Sequence, residues 1–428
     1  MSSTLHSNSA WVKMDRMDAL IVLLTVCKHW KNILLTTTTL WARVVASPET
    51  MGDAELMTTW LKRSGRSPLD LLFIAHDSAI ADVGLDIVLR HKSHWRDVTI
   101  NWSYRPTLSP RLVSSFHTAP IPLLLKFALF TEFDHEHAEE DSGVATQLMT
   151  LLGSAPNLRV LRWDAEQALF EGRPVRLQGY GLNQLRKLHL TCTISILECA
   201  HIMRQTPLLE VCFFGSVEDH EDGEPPIDAI VLPKLSDFTL IADKKLSSFF
   251  RALRLPSLKS LAIEYRHNGY QYPLHEWPQA SFMSFLARSA CTLSHLSLNV
   301  PIAEDDLVTC LDHLSPTLKY LWLEAKWDWP AFGNSTLALL TEPAPSQHGT
   351  RERKFPELET ITFHCSLRNV APHALADMIE SRWCFPEDEM QFANPEIAVY
   401  GFHAISDEDR RRIRVMVLRG RSGKIFGI

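Results

Sequence analysis

SPTLKYLWLEA, Ser315 to Ala325, is the stretch from which the fold can be read. Leu318, Leu321 and Leu323 stand in the order L-x-x-L-x-L, with Pro316 two residues ahead of the first. The same order returns as PNLRVLRW (Leu158, Leu161, Trp163), NQLRKLHL (Leu185, Leu188, Leu190) and PLLEVCFF (Leu209, Cys212, Phe214). It continues as PKLSDFTL (Leu235, Phe238, Leu240), PSLKSLAI (Leu258, Leu261, Ile263), CTLSHLSL (Leu293, Leu296, Leu298) and PELETITF (Leu358, Ile361, Phe363). The last two apolar positions of each copy lie two apart, so on a strand they point to one face while their neighbours point to the other.

From first apolar residue to first apolar residue the copies are separated by 27, 24, 26, 23, 35, 25 and 40 residues. Most of these intervals fall within the roughly 20–29-residue period of a leucine-rich repeat, and the two long ones read as repeats carrying insertions. One repeat cannot bury its leucines alone; stacked neighbours can, at roughly 1.5–3 kcal/mol for each buried leucine. PLDLLFIA (68–75), WRDVTINW (95–102) and PLLLKFALF (122–130) read as degenerate early repeats. Helices are expected between strands at 80–91, 144–153, 245–253, 280–290, 304–314 and 372–383. The expected fold is therefore an irregular α/β leucine-rich-repeat solenoid of strand–helix repeats over 67–405. No Asn or Cys ladder follows the strands, so the turns must be satisfied in another way.

Hydrophobic content of 46% and charged content of 22% are those of a soluble globular protein. A net charge of −7 gives no general attraction to nucleic acid or to an anionic membrane, and neither is expected as a partner. The eight cysteines form no C-x-x-C pair, and several fall at apolar repeat positions, which suits free thiols in a reducing compartment. With no secretory leader and no membrane-spanning run in the sequence, the expected location is cytoplasmic or nuclear.

Residues 1–18 are polar and read as disordered. From Ala19 to Val45, ALIVLLTVCKHWKNILLTTTTLWARVV places Leu20, Leu23, Leu24, Cys27, Trp30, Ile33 and Leu34 at three- and four-residue steps. That spacing predicts an amphipathic helix or a broken helix pair, with the threonine run 36–39 as a turn before Leu40 and Trp41. The order Val26-Cys27-x-x-Trp30, a short helix, then Leu40-Trp41 resembles the later part of an F-box. That family's opening leucine–proline–x–glutamate stretch has no counterpart in 1–18, so the segment 19–46 reads as an all-α F-box-like module lacking its first helix. A linking helix is expected over 47–66 and a C-terminal cap over 406–428, where Arg410 to Arg412 read as a solvated face.

The resemblance implies a substrate-recognition subunit of an SCF-type cullin–RING ubiquitin ligase. Leu23, Val26, Cys27, Trp30, Leu40 and Trp41 would dock a Skp-type adaptor, and through it the cullin scaffold. An unknown target protein would lie on the repeat face that points away from the leucines. The candidates there are Arg162, Lys187, His189, Phe213, His295, Tyr320, Trp322 and Glu324, with Asp164, Glu264 and Asn299 on the same face. Tyr320 and Trp322 flank Leu321, and exposed aromatics among charges mark protein-binding hot spots; the alternative is that Trp322 packs beneath the 265–278 loop. Such a subunit is not an enzyme, needs no cofactor, and acts by holding target and conjugating enzyme together.

Other chemistry is poorly supported. His135 and His137 lie in an acidic loop without the further ligands of a metal site. GRSGK (420–424) lacks the preceding glycine spacing of a phosphate loop. Two rival readings stand beside the ligase subunit. One is a repeat scaffold with a vestigial F-box and no ubiquitin role; the other is a GTPase regulator, for which no arginine is singled out.

Overall fold

The structure, a computed structural model, describes residues 15–76, 79–102, 121–133, 152, 155–167, 182–217, 227–243, 246–265, 277–324, 333–342, 354–364, 370–383, 396–400, 406–418 and 425–426. Residues 1–14 of the stretch 1–18 expected to be disordered, all but residue 152 of the helix expected over 144–153, His135 and His137, most of the 265–278 loop and GRSGK lie outside them. The chain divides into two compact units, Met1–Leu209 and Glu210–Ile428. Each is a mixed α/β assembly built on a parallel sheet.

The first unit begins with α1 (Asp15–Val26), α2 (Lys28–Thr36) and a 3-10 turn (Thr38–Trp41). After these come β1 (Arg43–Ala46), α3 (Met51–Ser64), β2 (Leu69–Ile74), α4 (Ala79–Leu89), β3 (Trp95–Trp102), β4 (Lys126–Phe133), β5 (Val160–Gln167), β6 (Lys187–Leu190) and α5 (Ile196–Gln205). Strands β1 to β6 pair in chain order, all parallel. Their register aligns Val44, Leu71, Val98, Phe127, Leu161 and Leu188 in one ladder. A second ladder, two residues on, holds Ala46, Phe73, Ile100, Leu129, Trp163 and Leu190. Every one of these side chains is buried.

Three expectations for this unit need correction. The helical segment starts by Asp15 instead of Ala19; of the two forms expected it takes the broken helix pair, with the break at Cys27, whose Sγ caps α2 by accepting from the Trp30 amide. Residues 43–46 are not helical: Arg-Val-Val-Ala is β-branched and alternates outward and inward, so it forms the first strand, and the sheet begins at 43 instead of 67. Helix α5 was not foreseen, although Ser195 and Glu198 form a reciprocal capping box at its start.

The second unit runs β7 (Val211–Val217), β8 (Ile230–Val231), β9 (Asp237–Ala242), α6 (Ser247–Ala252), β10 (Leu253–Arg254), β11 (Ser260–Tyr265), α7 (Gln279–Ser289), β12 (His295–Asn299) and α8 (Glu304–Leu314). It ends with β13 (Tyr320–Glu324), α9 (Asn334–Leu340), β14 (Thr360–His364), α10 (Ala374–Trp383), β15 (Glu396–Tyr400), α11 (Asp407–Leu418) and β16 (Ile425–Phe426). The sheet order is β7-β9-β11-β12-β13-β14-β15-β16, all parallel, and β8 with β10 forms a separate two-stranded pair. One ladder joins Cys212, Phe238, Leu261, Leu296, Leu321, Ile361 and Ile397, and another Phe214, Leu240, Ile263, Leu298, Leu323 and Phe363. The expected C-terminal cap holds α11, but it also supplies β16, which extends the sheet beyond β15.

Register is fixed at the strand entrances. The Lys259 carbonyl accepts from the Ser294 and His295 amides, Ser294 from Lys319 and Tyr320, and Lys319 from Glu359 and Thr360. The inward faces meet helices: Phe238 lies 6.3 Å from Phe249 of α6, and Phe250 stacks 5.9 Å from Phe285 of α7. Neighbouring helices cap one another. Glu304 of α8 accepts from the Gly333 and Thr336 amides at the start of α9, and Asp409 of α11 accepts from His373 and Ala376 at the start of α10. Among the described residues no helix is long and apolar enough to cross a membrane.

Close helix–sheet approach leaves no room for a side chain at Gly84. A Cβ at Gly84 of α4 would stand 2.6 Å from Pro48 Cγ and 3.1 Å from the Phe73 ring. Gly84→Ala is therefore expected to destabilise by about 1–3 kcal/mol through overpacking, despite alanine's better helix propensity. Urea unfolding reads this as a lower midpoint; an unchanged or raised midpoint would show that Pro48 gives way.

Candidate interaction surfaces

The N-terminal segment separates its apolar residues into two sets. Trp41 is fully buried: its Nε1 donates to the Leu34 carbonyl at 2.7 Å, and its ring meets Trp60 of α3 edge-on at 4.7 Å. The Arg63 guanidinium sits 4.5 Å over the same ring. Leu34 is buried with it. Thr36 and Thr37 return their hydroxyls to the Asn32 and Ile33 carbonyls, which ends α2 and turns the chain.

Trp41 thus secures the segment to α3 and is not a contact surface. The other set faces solvent. Val26 is 57% exposed, Trp30 45% and Leu40 41%, with Ile21, Val22, Ile33 and Leu35 also open. Leu23 is half-buried, and Cys27 is exposed at the cap of α2. Of the six residues singled out for adaptor docking, then, Val26, Cys27, Trp30 and Leu40 are open to solvent; Ile21, Val22, Ile33 and Leu35, not among the six, are exposed as well. Their apolar character at helical spacing was visible in the sequence, but which face would find cover was not.

On the first unit's sheet the outward residues form charged ladders. Asp70 accepts from Arg96 Nε and Nη2 and lies 3.5 Å from Arg43, and Lys126 pairs with Asp97 at 2.8 Å. The structure brings Arg162 and His189 together at Asp164. Arg162 Nε donates to Oδ2 at 2.7 Å, and His189 Nε2 stands 2.9 Å from Oδ1. The Arg162 guanidinium also lies 5.2 Å from the Phe130 ring centroid. Lys187 is exposed at the entrance of β6.

On the second unit's sheet His295 stacks on Tyr320 with ring centroids 4.2 Å apart, and the Tyr320 hydroxyl donates to Glu359 at 2.6 Å. That bond, with the Lys319 ammonium 3.5 Å away, holds the Glu359 carboxyl below its ordinary range, and the same bond pushes Tyr320 up. Trp322 and Phe213 are half-buried on the outward side, and Glu324 lies 3.5 Å from His364 Nδ1. Asn299 departs from expectation: it shares the outward face yet is 4% exposed. The role of Glu359 was also missed, because it reaches Tyr320 across 39 residues of sequence.

The basic run of α11 is matched by carboxylates. Arg410 pairs with Asp407, Arg411 with Glu408, and Arg412 with Asp377 and Glu380. Cys192, Cys199, Cys212 and Cys310 are buried free thiols, and burial pushes Cys192 and Cys310 up to about 12, so they pack as small apolar groups. Among the described residues no group of three or more His, Cys, Asp or Glu is arranged to hold a metal.

Burial raises the Asp164 carboxyl, but the hydrogen bonds from His189 and Arg162 outweigh it and leave the group below its ordinary range. A depressed folded value means this contribution to stability is complete above the unfolded pKa of about 3.9 and is lost as pH falls through the folded value. Asp164→Asn should therefore lose less stability than the wild type below about pH 4. Urea midpoints taken from neutral pH downward check it, and parallel curves would contradict it. No protein-family model matches the chain, and no curated protein matches it in sequence.

Proposed function

We propose that the chain is the substrate-recognition subunit of an SCF-type cullin–RING ubiquitin ligase. Each unit is read as a stretch of irregular leucine-rich-repeat solenoid whose apolar ladders form the core. The observation that carries the adaptor half is the exposed apolar set Val26, Trp30, Ile33 and Leu40 on a segment anchored by the buried Trp41. A tryptophan and aliphatic side chains left in water on helix surfaces beside a secured core are what a docking face offers. The target half rests on the outward residues of the two sheets. The subunit does no chemistry; it raises the effective concentration of the target beside the conjugating enzyme.

The test is capture of the purified chain by a Skp-type adaptor, comparing wild type with Trp30→Ala and Val26→Ser. Both residues are exposed, so the variants should keep the wild-type thermal midpoint while adaptor affinity falls by tenfold or more, on the order of 1.4 kcal/mol. Trp41→Ala would unfold the segment and test nothing about docking. A folded wild-type chain that binds no adaptor, or variants that bind as well as wild type, would overturn the reading.

A further inference from the structure

The strand entrances of the first unit carry like charge. The Arg96 carbonyl accepts from the Leu125 amide, Leu125 from Arg159 and Val160, and Arg159 from Arg186 and Lys187, which sets Arg96, Arg159 and Arg186 in one row. One residue on, the register aligns Asp97, Lys126, Val160 and Lys187. The five cations of these two rows are all exposed, and Asp97 is the one carboxylate among them. The entrances of the second unit are mixed: Ser236, Lys259, Ser294, Lys319 and Glu359 follow one another, and Lys319 is held by Glu357 and Glu359.

The carboxylates within reach are taken at the β3 end. Asp70 of β2 accepts from both Arg96 nitrogens and lies 3.5 Å from Arg43, and Asp97 takes Lys126 at 2.8 Å. Among the described residues no carboxylate meets Arg159 or Lys187. The two are joined through one peptide group, since the Lys187 amide donates to the Arg159 carbonyl at 3.0 Å, and Arg186 stands beside both. Like charges held side by side on a sheet repel, and an anion entering between them relieves the repulsion. Asn183 and Gln184, exposed just ahead of Arg186, add amide donors at the same entrance.

We propose that the entrance rows of β4 to β6 hold an extended, carboxylate-rich segment of the target protein, with carboxylates on Arg159 and Lys187 and the field of Lys126 and Arg186 around them. This rests on the reading of the sheet as the target surface, and it names the chemistry recognised there. A guanidinium takes a carboxylate through two parallel N–H bonds, and an ammonium takes a second as a point charge. Neighbouring strands lie about 4.8 Å apart, so the cations are spread along the entrance instead of converging on one point. That suits carboxylates spaced along a chain better than a single phosphate. In the next outward row Thr99 stands opposite Ala128, small side chains over which a backbone can run. A nucleic acid is the poorer fit. Strands β3 to β6 span only about 14 Å, neither row holds an aromatic ring for a base to stack on, and the net charge of −7 opposes a long polyanion.

The full chain should be titrated against a fluorescent decapeptide carrying four glutamates at alternate positions, read by anisotropy at low salt. It should bind about tenfold tighter than the same peptide with glutamine in their place, and roughly 0.5 M salt should erase the difference. Arg159→Gln and Lys187→Gln should each weaken glutamate-peptide binding about threefold or more at an unchanged thermal midpoint, since neither side chain has a carboxylate to lose. Lys259→Gln, the same charge change on the second unit, should leave binding unaltered. Equal binding of the two peptides, no binding by the folded chain, or a loss matched by Lys259→Gln would each overturn the inference. So would a phosphoserine peptide or a thymidine decanucleotide bound about tenfold tighter than the glutamate peptide. Adaptor capture measured in the same preparation separates the claims: glutamate preference without adaptor binding sinks the ligase reading alone, and the reverse sinks this inference alone.

Discussion

Each strand must offer two apolar side chains, two residues apart, at the same height as those of its neighbours. Leu321 and Leu323 are buried because Leu296 and Leu298 flank them on one side and Ile361 and Phe363 on the other. Parallel pairing imposes the rest. The chain must return to the same edge after every strand, which takes a crossover of a dozen or more residues and is filled here in most cases by a helix. The shared entrance carbonyls then hold the register, and slipping by one residue would turn every leucine outward. Outward residues are thereby held in register as well. A surface property such as charge becomes a property of rows, and the rows of the two units differ.

The two tryptophans of the N-terminal segment show how burial assigns different work to similar residues. Trp41 fills a site between Leu34, Trp60 and Arg63, with its indole nitrogen satisfied by a backbone carbonyl. Trp30, eleven residues earlier, finds no such cover, and with Val26 and Leu40 it keeps an apolar surface in water. One residue makes the module; the other is available to a partner. Similar division occurs on the second sheet, where Tyr320 and Glu359 satisfy each other while Asn299 has no partner.

The ladders were legible in the sequence because the L-x-x-L-x-L order survives substitution: Cys212, Phe238 and Ile361 occupy leucine positions without breaking the spacing. The degenerate early strands were legible for the same reason, as was helix α8 over Glu304–Leu314. Strand β1 was hidden because it directly follows a helical pattern and has only four residues, too few for alternation to stand out. Strand β16, at two residues, is shorter than any periodicity. Among the surface residues, period two gave the outward side of Arg162, His189, Tyr320 and Trp322 directly. It could not give the burial of Asn299 or Trp41, nor the reach of Glu359 to Tyr320, since these depend on contacts between distant parts of the chain.

Hydrogen exchange of the full chain, alone and with a Skp-type adaptor, tests the account most directly. Docking on the exposed apolar set predicts slowed exchange confined to 15–41, with the amides of β3 to β6 unchanged and left open to a target. Protection on those sheet strands with none over 15–41, or none anywhere at saturating adaptor, would contradict it.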